Sequence, residues 1–188
     1  MDNTLNFLKS FPFLTPEEIS TFTNKLKLKH FKKNDYLIKE GELCNEICFM
    51  ESGSARSFHY SNDKEVTNWF VFKNMPLTSY FSFVTRSPCK ESIQFLEDTS
   101  LYAIDYQNIQ LLYQEFHGIE RLGREIAEFY FIWQEERTLS LQSLSAKERY
   151  KKLMIQESHL LQMVSLGQIA SYLGITQESL SRIRKNIQ

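Results

Sequence analysis

The sequence lacks a long apolar run and is poor in cysteine, and each shortage excludes a class of protein. The N-terminal segment has an early acid at Asp2 and no long apolar stretch, which predicts neither a secretory signal nor a membrane span. We therefore expect a cytoplasmic protein with no membrane partner. The three cysteines include no CxxC pair, which argues against a disulfide framework and common zinc sites. Small buried or half-buried thiols are expected at Cys44, Cys48 and Cys89.

Motifs for catalysis are also missing. The chain has no Walker loop, no metal motif and no nucleophile–base constellation, so we expect no catalytic residues, no bound metal and no enzyme activity. With 188 residues, 42% of them hydrophobic and 24% charged, the chain can still bury a core. One large domain or two small ones would fit.

The net charge of −1 hides an asymmetry between the two ends of the chain. Residues 145–188 hold seven Lys/Arg against three Asp/Glu, a net of +4, and the remainder holds fifteen against twenty, a net of −5. The basic end is a candidate for contact with phosphates, and the acidic part is not. A solvated basic helix face would give the same count.

The first block, to about Tyr106, begins helical and then takes on the texture of strands. Thr15 and Glu18 form the pattern of a capping box with Pro16 at the first helical position, which predicts a helix start. After Lys33, short apolar runs separated by turn residues predict a small antiparallel barrel or sandwich. The predicted strands are Tyr36–Ile38, Ile47–Met50, Ala55–Tyr60, Val66–Phe72 and Leu101–Ile104.

From about Gln107 the apolar period lengthens to alternating steps of four and three, which predicts a long amphipathic helix. Its large side chains would serve either as intramolecular core or as the seam of a dimer. A parallel pair of such helices would form a coiled-coil-like interface. The stripe comprises Leu112, Phe116, Ile119, Leu122, Ile126, Phe129 and Trp133.

The last block predicts a helix-turn-helix from about Ser165 to Lys185. Ser145 to Glu148 forms a capping box that opens a helix to about Glu157, and Ser165 to Gln168 forms another. Gly174 suits the left-handed residue between two helices, and Thr176 can cap the second. Helices that merely pack together are the alternative. Apolar or small residues recur at the required offsets at Ile169, Ala170, Leu173, Ile175, Leu180 and Ile183.

These segments resemble the bacterial family of the catabolite activator protein and the fumarate-nitrate reduction regulator. The resemblance implies an α+β fold with an N-terminal antiparallel β-roll of the cyclic nucleotide-binding type (1–116). A dimerisation helix (117–143) and a helix-turn-helix DNA-binding domain (144–188) would follow. Because the sequence stops after the recognition helix, no wing is expected. The resemblance is carried by Gly41, Phe49–Gly53, Ser82–Phe83, Ile93–Glu97, Ser145–Tyr150 and Ile169–Thr176.

The same resemblance argues against cyclic AMP as the ligand. Members that bind it carry a glycine and an arginine in a phosphate-binding cassette, whereas residues 75–83 contain no glycine and no arginine directly precedes Ser92. The positions that would approach a nucleobase fall near Leu122 and Gly123, which offer no side-chain donor. The candidate pocket residues are Thr78, Ser79, Ser82 and Ser92.

The sequence does not identify a cofactor among the other effectors that the family uses. An iron-sulfur cluster would need four thiolates, and only three exist. Cys44 and Cys48 could sense oxidants, although nothing in the sequence indicates a lowered thiol pKa. An empty pocket is as well supported as a filled one. Haem would need an axial ligand, and the available histidines are His30, His59, His117 and His159.

The outer face of the last helix predicts sequence-specific binding of double-stranded DNA by a homodimeric transcription regulator, with RNA polymerase as a further partner. The polar side chains on this face can reach base edges or phosphates. The alternative is an effector-sensing module whose C-terminal helices bind a protein, which would favour an apolar anchor there. The predicted DNA-contacting residues are Thr176, Gln177, Glu178, Ser181, Arg182 and Lys185.

Overall fold

The computed structural model describes residues 1–72, 75–156 and 160–186. These residues form two compact units, of which the first comprises Met1–Ser57 and Phe70–Ala127. The second unit comprises Phe58–Trp69 and Glu128–Gln188. The predicted helix end at Glu157 and the candidate haem ligand His159 lie outside the described residues.

Two short helices begin the first unit, α1 (Asp2–Lys9) and α2 (Pro16–Asn24). The predicted capping box is present, since the Glu18 backbone N–H donates to Thr15 Oγ1 at 3.2 Å. In return, the Thr15 N–H donates to Glu18 Oε2 at 2.8 Å. Two backbone donors at the start of α2 are thus satisfied locally, which explains why the sequence identified this boundary.

The strands form two four-stranded sheets, with orders β1-β8-β3-β6 and β2-β7-β4-β5. Strand β8 pairs antiparallel with β1 and with β3, so that Ala103 faces Lys27 on one side and Cys48 on the other. The predicted antiparallel β-roll is confirmed. The strands are β1 (Lys27–Phe31), β2 (Tyr36–Ile38), β3 (Glu46–Ser52), β4 (Ser54–Ser61), β5 (Lys64–Phe72), β6 (Pro76–Leu77), β7 (Ser92–Phe95) and β8 (Thr99–Asp105).

Strand β3 contributes four consecutive buried apolar residues, 47–50, to the core of the roll. A continuous apolar run of this kind is expected of a strand covered on both faces. The strand ends in a turn at Gly53, whose φ is +95°. A Cβ atom there would lie 2.1 Å from Thr99 Oγ1, so this turn has room only for glycine.

Three more helices continue from the roll: α3 (Tyr80–Thr85), α4 (Tyr106–Glu115) and α5 (His117–Ser143). The long helix expected from the apolar period is present as α5. It starts later than the period suggested, because Phe116 has extended backbone angles and separates α4 from α5.

The C-terminal helices are α6 (Ala146–Gln156), α7 (Leu160–Met163), α8 (Leu166–Tyr172) and α9 (Gln177–Lys185). Both predicted capping boxes are formed, with the Glu148 N–H donating to Ser145 Oγ at 3.3 Å and the Gln168 N–H to Ser165 Oγ at 3.2 Å. Among the described residues, no helix is long and apolar enough to cross a membrane.

Candidate nucleic-acid interface and sensor pocket

Helices α8 and α9 meet across a turn closed by Gly174, which has a φ of +66°. Its N–H donates to the Ser171 carbonyl at 3.0 Å, and the Ile175 N–H donates to the Ala170 carbonyl at 3.0 Å. This pair of bonds is a Schellman motif, which ends a helix with a left-handed residue. The role predicted for Gly174 is therefore confirmed.

The inner face of this helix pair is apolar and buried. Thr176 starts α9, and its Oγ1 accepts the Ser179 N–H at 3.2 Å. This cap fixes where α9 begins and hence which of its residues point outwards. The buried residues are Ile169, Ala170, Leu173 and Leu180.

The opposite face of α9 is polar and open to solvent. Gln177, Glu178, Arg182 and Lys185 are exposed, and Ser181 is half-buried. The structure therefore brings the residues predicted from the sequence together on one surface of one helix. Such side chains can reach base edges when a helix enters the major groove.

Charge on α9 is arranged along its length, with Glu178 in the first turn and Arg182, Arg184 and Lys185 in the last. This order matches the helix dipole. Hydrogen bonds from its own backbone N–H and from the Thr176 side chain lower the pKa of Glu178, and the charge of Arg182 lowers it further. Glu178 is therefore an ionised acceptor beside Arg182 at neutral pH.

The end of the β4–β5 hairpin contacts this helix pair within the second unit. The Thr67 N–H donates to Ser171 Oγ at 2.6 Å, and that hydroxyl donates to the Glu65 carbonyl at 3.2 Å. Lys64 also contributes, through its charge, to the lowered pKa of Glu178. The sequence predicted the turn between the strands but carried no signal that Ser171 meets them.

The predicted sensor-pocket residues all lie buried in the β-roll, and three of their hydroxyls bond to the protein itself. Thr78 Oγ1 donates to the Glu46 carbonyl at 2.9 Å, Ser82 Oγ accepts the Cys44 N–H at 2.9 Å, and Ser92 Oγ accepts the Glu40 N–H at 3.0 Å. Among the described residues, the Ser79 hydroxyl has no hydrogen-bond partner.

Arg86, the arginine nearest to the predicted cassette, is held by protein groups. It lies in the left-handed region with a φ of +55°, and its Nη1 donates to the Cys44 carbonyl at 2.9 Å. Its guanidinium also lies 4.0 Å from the ring centroid of Tyr106. A side chain fixed in this way is not positioned to receive a phosphate.

Arg56 on β4 was not singled out by the sequence. It is 4% exposed, and its Nε and Nη2 donate to Gln94 Oε1 at 3.2 and 2.9 Å. A buried guanidinium inside the roll is unusual, because buried charges need polar partners. Nothing in a strand of alternating polar and apolar residues distinguishes this arginine from a surface one.

The positions on α5 that would approach a nucleobase are closed. Leu122 is buried, and a Cβ atom on Gly123 would lie 2.3 Å from the Tyr113 hydroxyl oxygen. Burial raises the pKa of Tyr113 to about 12. Gly123 therefore packs closely against Tyr113 of α4, and neither Leu122 nor Gly123 offers a side-chain donor.

All three cysteines are free and buried, as predicted. Burial raises the pKa of the Cys48 thiol and of the Cys89 thiol, so neither is activated for oxidation. His30 bonds to Ser100 and His59 to Asn68. The part of the chain that the structure describes contains no cluster of three or more potential metal-binding side chains.

The predicted dimer stripe on α5 divides into two parts. Ile119 and Leu122 are buried within the first unit and belong to its core. Ile126 and Trp133 are half-buried, whereas Phe129 is 52% exposed. Additional large apolar side chains are exposed on the C-terminal half of α5, namely Phe131, Ile132, Leu139 and Leu141.

Comparison with known proteins agrees with this architecture. Residues 28–116 match the family model of the cyclic nucleotide-binding domain. FixK2 from Bradyrhizobium japonicum is 16% identical, with a TM-score of 0.76 over 86% of this chain and 84% of that one. A transcriptional regulator of the Crp/Fnr family from Eubacterium rectale is 18% identical, with a TM-score of 0.77 over 97% and 88%.

The c-di-GMP responsive global regulator CLP of Xanthomonas campestris is also similar. It is 14% identical, with a TM-score of 0.71 over 93% of this chain and 92% of that one. A search of curated proteins finds no match. The family match places a cyclic nucleotide-binding domain at residues 28–116, and the proteins from Eubacterium rectale and Xanthomonas campestris are described as regulators. The likeness to these structures shows a shared fold, which agrees with the β-roll, long helix and helix-turn-helix that the sequence resemblance implied.

Proposed function

We propose that the chain is a sequence-specific DNA-binding transcription regulator of the catabolite activator type. The observation that carries this proposal is the exposed polar face of α9, on which Gln177, Glu178 and Arg182 stand together. The face holds no apolar anchor of the kind that protein-docking helices present. A regulator of this type acts on DNA in the cytoplasm, with RNA polymerase as its expected protein partner.

The active form is proposed to be a homodimer joined along α5. Phe129, Ile132 and Leu139 are exposed and spaced by three and seven residues, which is the spacing of a coiled-coil seam. Exposed side chains of this size in such a row mark a contact surface. The dimer would present two copies of α9 to successive major grooves, so the target is an inverted repeat with half-site centres about 10 bp or a multiple apart.

Cyclic AMP is not proposed as the effector. Arg86 is bound to the Cys44 carbonyl, and Leu122 and Gly123 are closed by packing, so neither the phosphate nor the base of this nucleotide has a partner there. Calorimetric titration of the purified dimer with cyclic AMP should give no heat of binding and no change in DNA affinity. Micromolar binding would require a different site around Thr78 to Ser92.

The experiment that tests the function is selection of bound sequences from a random DNA pool by the purified full chain, followed by gel shifts. We expect a palindromic motif that competes against unrelated DNA. Binding that is equally tight for all sequences, or no binding at all, would favour the alternative in which the C-terminal helices bind a protein. In that case the immobilised full chain should retain a protein partner, and substitutions on α9 should abolish that retention.

A further inference from the structure

A groove of about 390 Å³ lies within the second unit, away from the outer face of α9. The C-terminal half of α5 forms one wall with Trp133 and Arg137, and α6 forms another with Arg149 and Lys152. The end of α8 closes it at Tyr172. The volume falls in the range of sites for small ligands, about 300 to 1,000 Å³.

The groove concentrates positive charge. Three of its lining residues are cations and one, Glu136, is an acid. Among the described residues, no carboxylate forms an ion pair with Arg137, Arg149 or Lys152. Cations that outnumber the acids around them and are not ion-paired are stabilised by an anion.

The two arginines are close enough to affect each other. Burial lowers the pKa of Arg137, the electrostatic interaction with Tyr172 partly offsets this, and the charge of Arg149 lowers it further. The Arg137 guanidinium lies 4.0 Å from the Tyr172 ring centroid and donates to the Tyr172 carbonyl. The protein therefore holds the Arg137 guanidinium in place before any ligand binds.

Several donors remain in the groove after the internal bonds are made. Arg149 donates through Nε to the Leu173 carbonyl at 3.0 Å and through Nη1 to the Leu144 carbonyl at 2.5 Å. A guanidinium has five N–H groups and an ammonium three, so unused donors are left on both arginines and on Lys152. Fixed guanidinium groups beside a lysine suit the several oxygens of a phosphate.

Trp133 supplies a second kind of contact. Its indole is half-buried and lines the same groove, so a large planar ring adjoins the cationic cluster. Aromatic side chains of this kind stack on planar ligand rings. We propose that the groove binds a phosphate ester that carries a planar ring, such as a nucleotide, with Arg137, Arg149 and Lys152 at the phosphates and Trp133 on the ring. This proposal does not depend on which DNA sequence α9 reads.

Tryptophan fluorescence of the full chain tests the proposal directly. The sequence has two tryptophans, so Trp69→Phe leaves Trp133 as the single reporter. The probes are ATP, adenosine and inorganic tripolyphosphate. ATP should quench Trp133 saturably, adenosine should not because it lacks phosphate, and tripolyphosphate should bind at least about tenfold more weakly than ATP because it lacks the ring.

Lys152→Ala should raise the Kd for ATP about tenfold, whereas Lys151→Ala, one residue earlier on α6 and exposed, should leave it unchanged. Calorimetry measures the Kd for ATP of the two lysine variants with Trp69 retained, which controls for any folding defect caused by Trp69→Phe. Equal Kd values in the two lysine variants, or no response to ATP, would overturn the proposal. A response lost in Arg182→Ala but kept in Lys152→Ala would place binding on α9 and also overturn it. Failure here would leave sequence-selective DNA binding intact, so the two claims are separable.

Discussion

The hydroxyl of Ser171 accepts the Thr67 N–H at 2.6 Å and so satisfies a backbone donor of the edge strand β5. An edge strand presents N–H groups that have no neighbouring strand to bond. Here one of them is satisfied by a side chain of α8, the first helix of the helix-turn-helix. The same hydroxyl donates to the Glu65 carbonyl, so a single side chain serves both a donor and an acceptor of the hairpin.

Ser171→Ala should therefore loosen the hairpin without altering α8 itself. The Thr67 amide would lose its acceptor inside a buried site, at a cost of about 1 kcal/mol. Hydrogen exchange should show the Thr67 amide exchanging several-fold faster. Ser181→Ala on α9 is the matched control and should leave that amide unchanged. Equal protection in both variants would mean that the contact contributes nothing in solution.

Gly174→Ala should destabilise the helix-turn-helix. A φ of +66° costs a residue with a Cβ atom about 1 to 2 kcal/mol, and that atom would also lie 3.2 Å from Leu141 Cδ2. For a chain of this size the melting temperature should fall by about 2 to 8 °C. Gly167→Ala on α8 is the control, because a Cβ there meets nothing nearer than 3.6 Å. An unchanged melting temperature for the Gly174 variant would argue against the Schellman turn.

Arg182→Ala should lose about 1 to 3 kcal/mol of DNA binding and flatten the preference at one base pair, because an exposed guanidinium can pair with guanine O6 and N7. Lys185→Ala, nearer the end of α9, should weaken all sequences alike and reduce the salt slope by about one. Sequence selection with each variant makes the distinction. If the Arg182 variant returned an equally sharp motif, the reader would be Gln177 or Ser181.

Phe129→Glu combined with Ile132→Glu should convert the dimer to monomers, because it places four charges per dimer in an apolar seam. Phe131→Glu is the control. Phe131 is more exposed than Phe129, at 65%, but it lies about 200° around the helix from it. Light scattering measures the mass of each variant. A dimer that survived the double substitution but not Phe131→Glu would move the seam to the other side of α5.

Local signals in the sequence predicted the helix boundaries best. The capping boxes at Thr15, Ser145 and Ser165 each depend on residues three positions apart, and all three form. Strand β1 escaped detection because its residues, Lys27–Phe31, include two lysines and a histidine and are largely exposed. Strand β6 has two residues, which is too short for any period to register.

Long-range relationships could not be predicted in the same way. The apolar period runs unbroken through Phe116, yet the helix is interrupted there, because Phe116 has extended backbone angles. Periodicity also treats Leu122 and Phe129 alike, although one is buried by its own unit and the other is exposed. The groove at Arg137 and Arg149 is lined by residues from separate helices, and no spacing of residues along the chain predicts it.

The assignment of residues 58–69 to the second unit matters for any chimaera that exchanges this unit between two proteins of the same fold. That unit is encoded in two separate stretches of the gene, and the stretch between them encodes β6, β7, β8, α3 and α4. A chimaera spliced once after Ala127 would pair Ser171 of one parent with the hairpin of the other. Transferring the whole second unit to another protein therefore requires two exchanged segments, because a single crossover would transfer only residues 128–188.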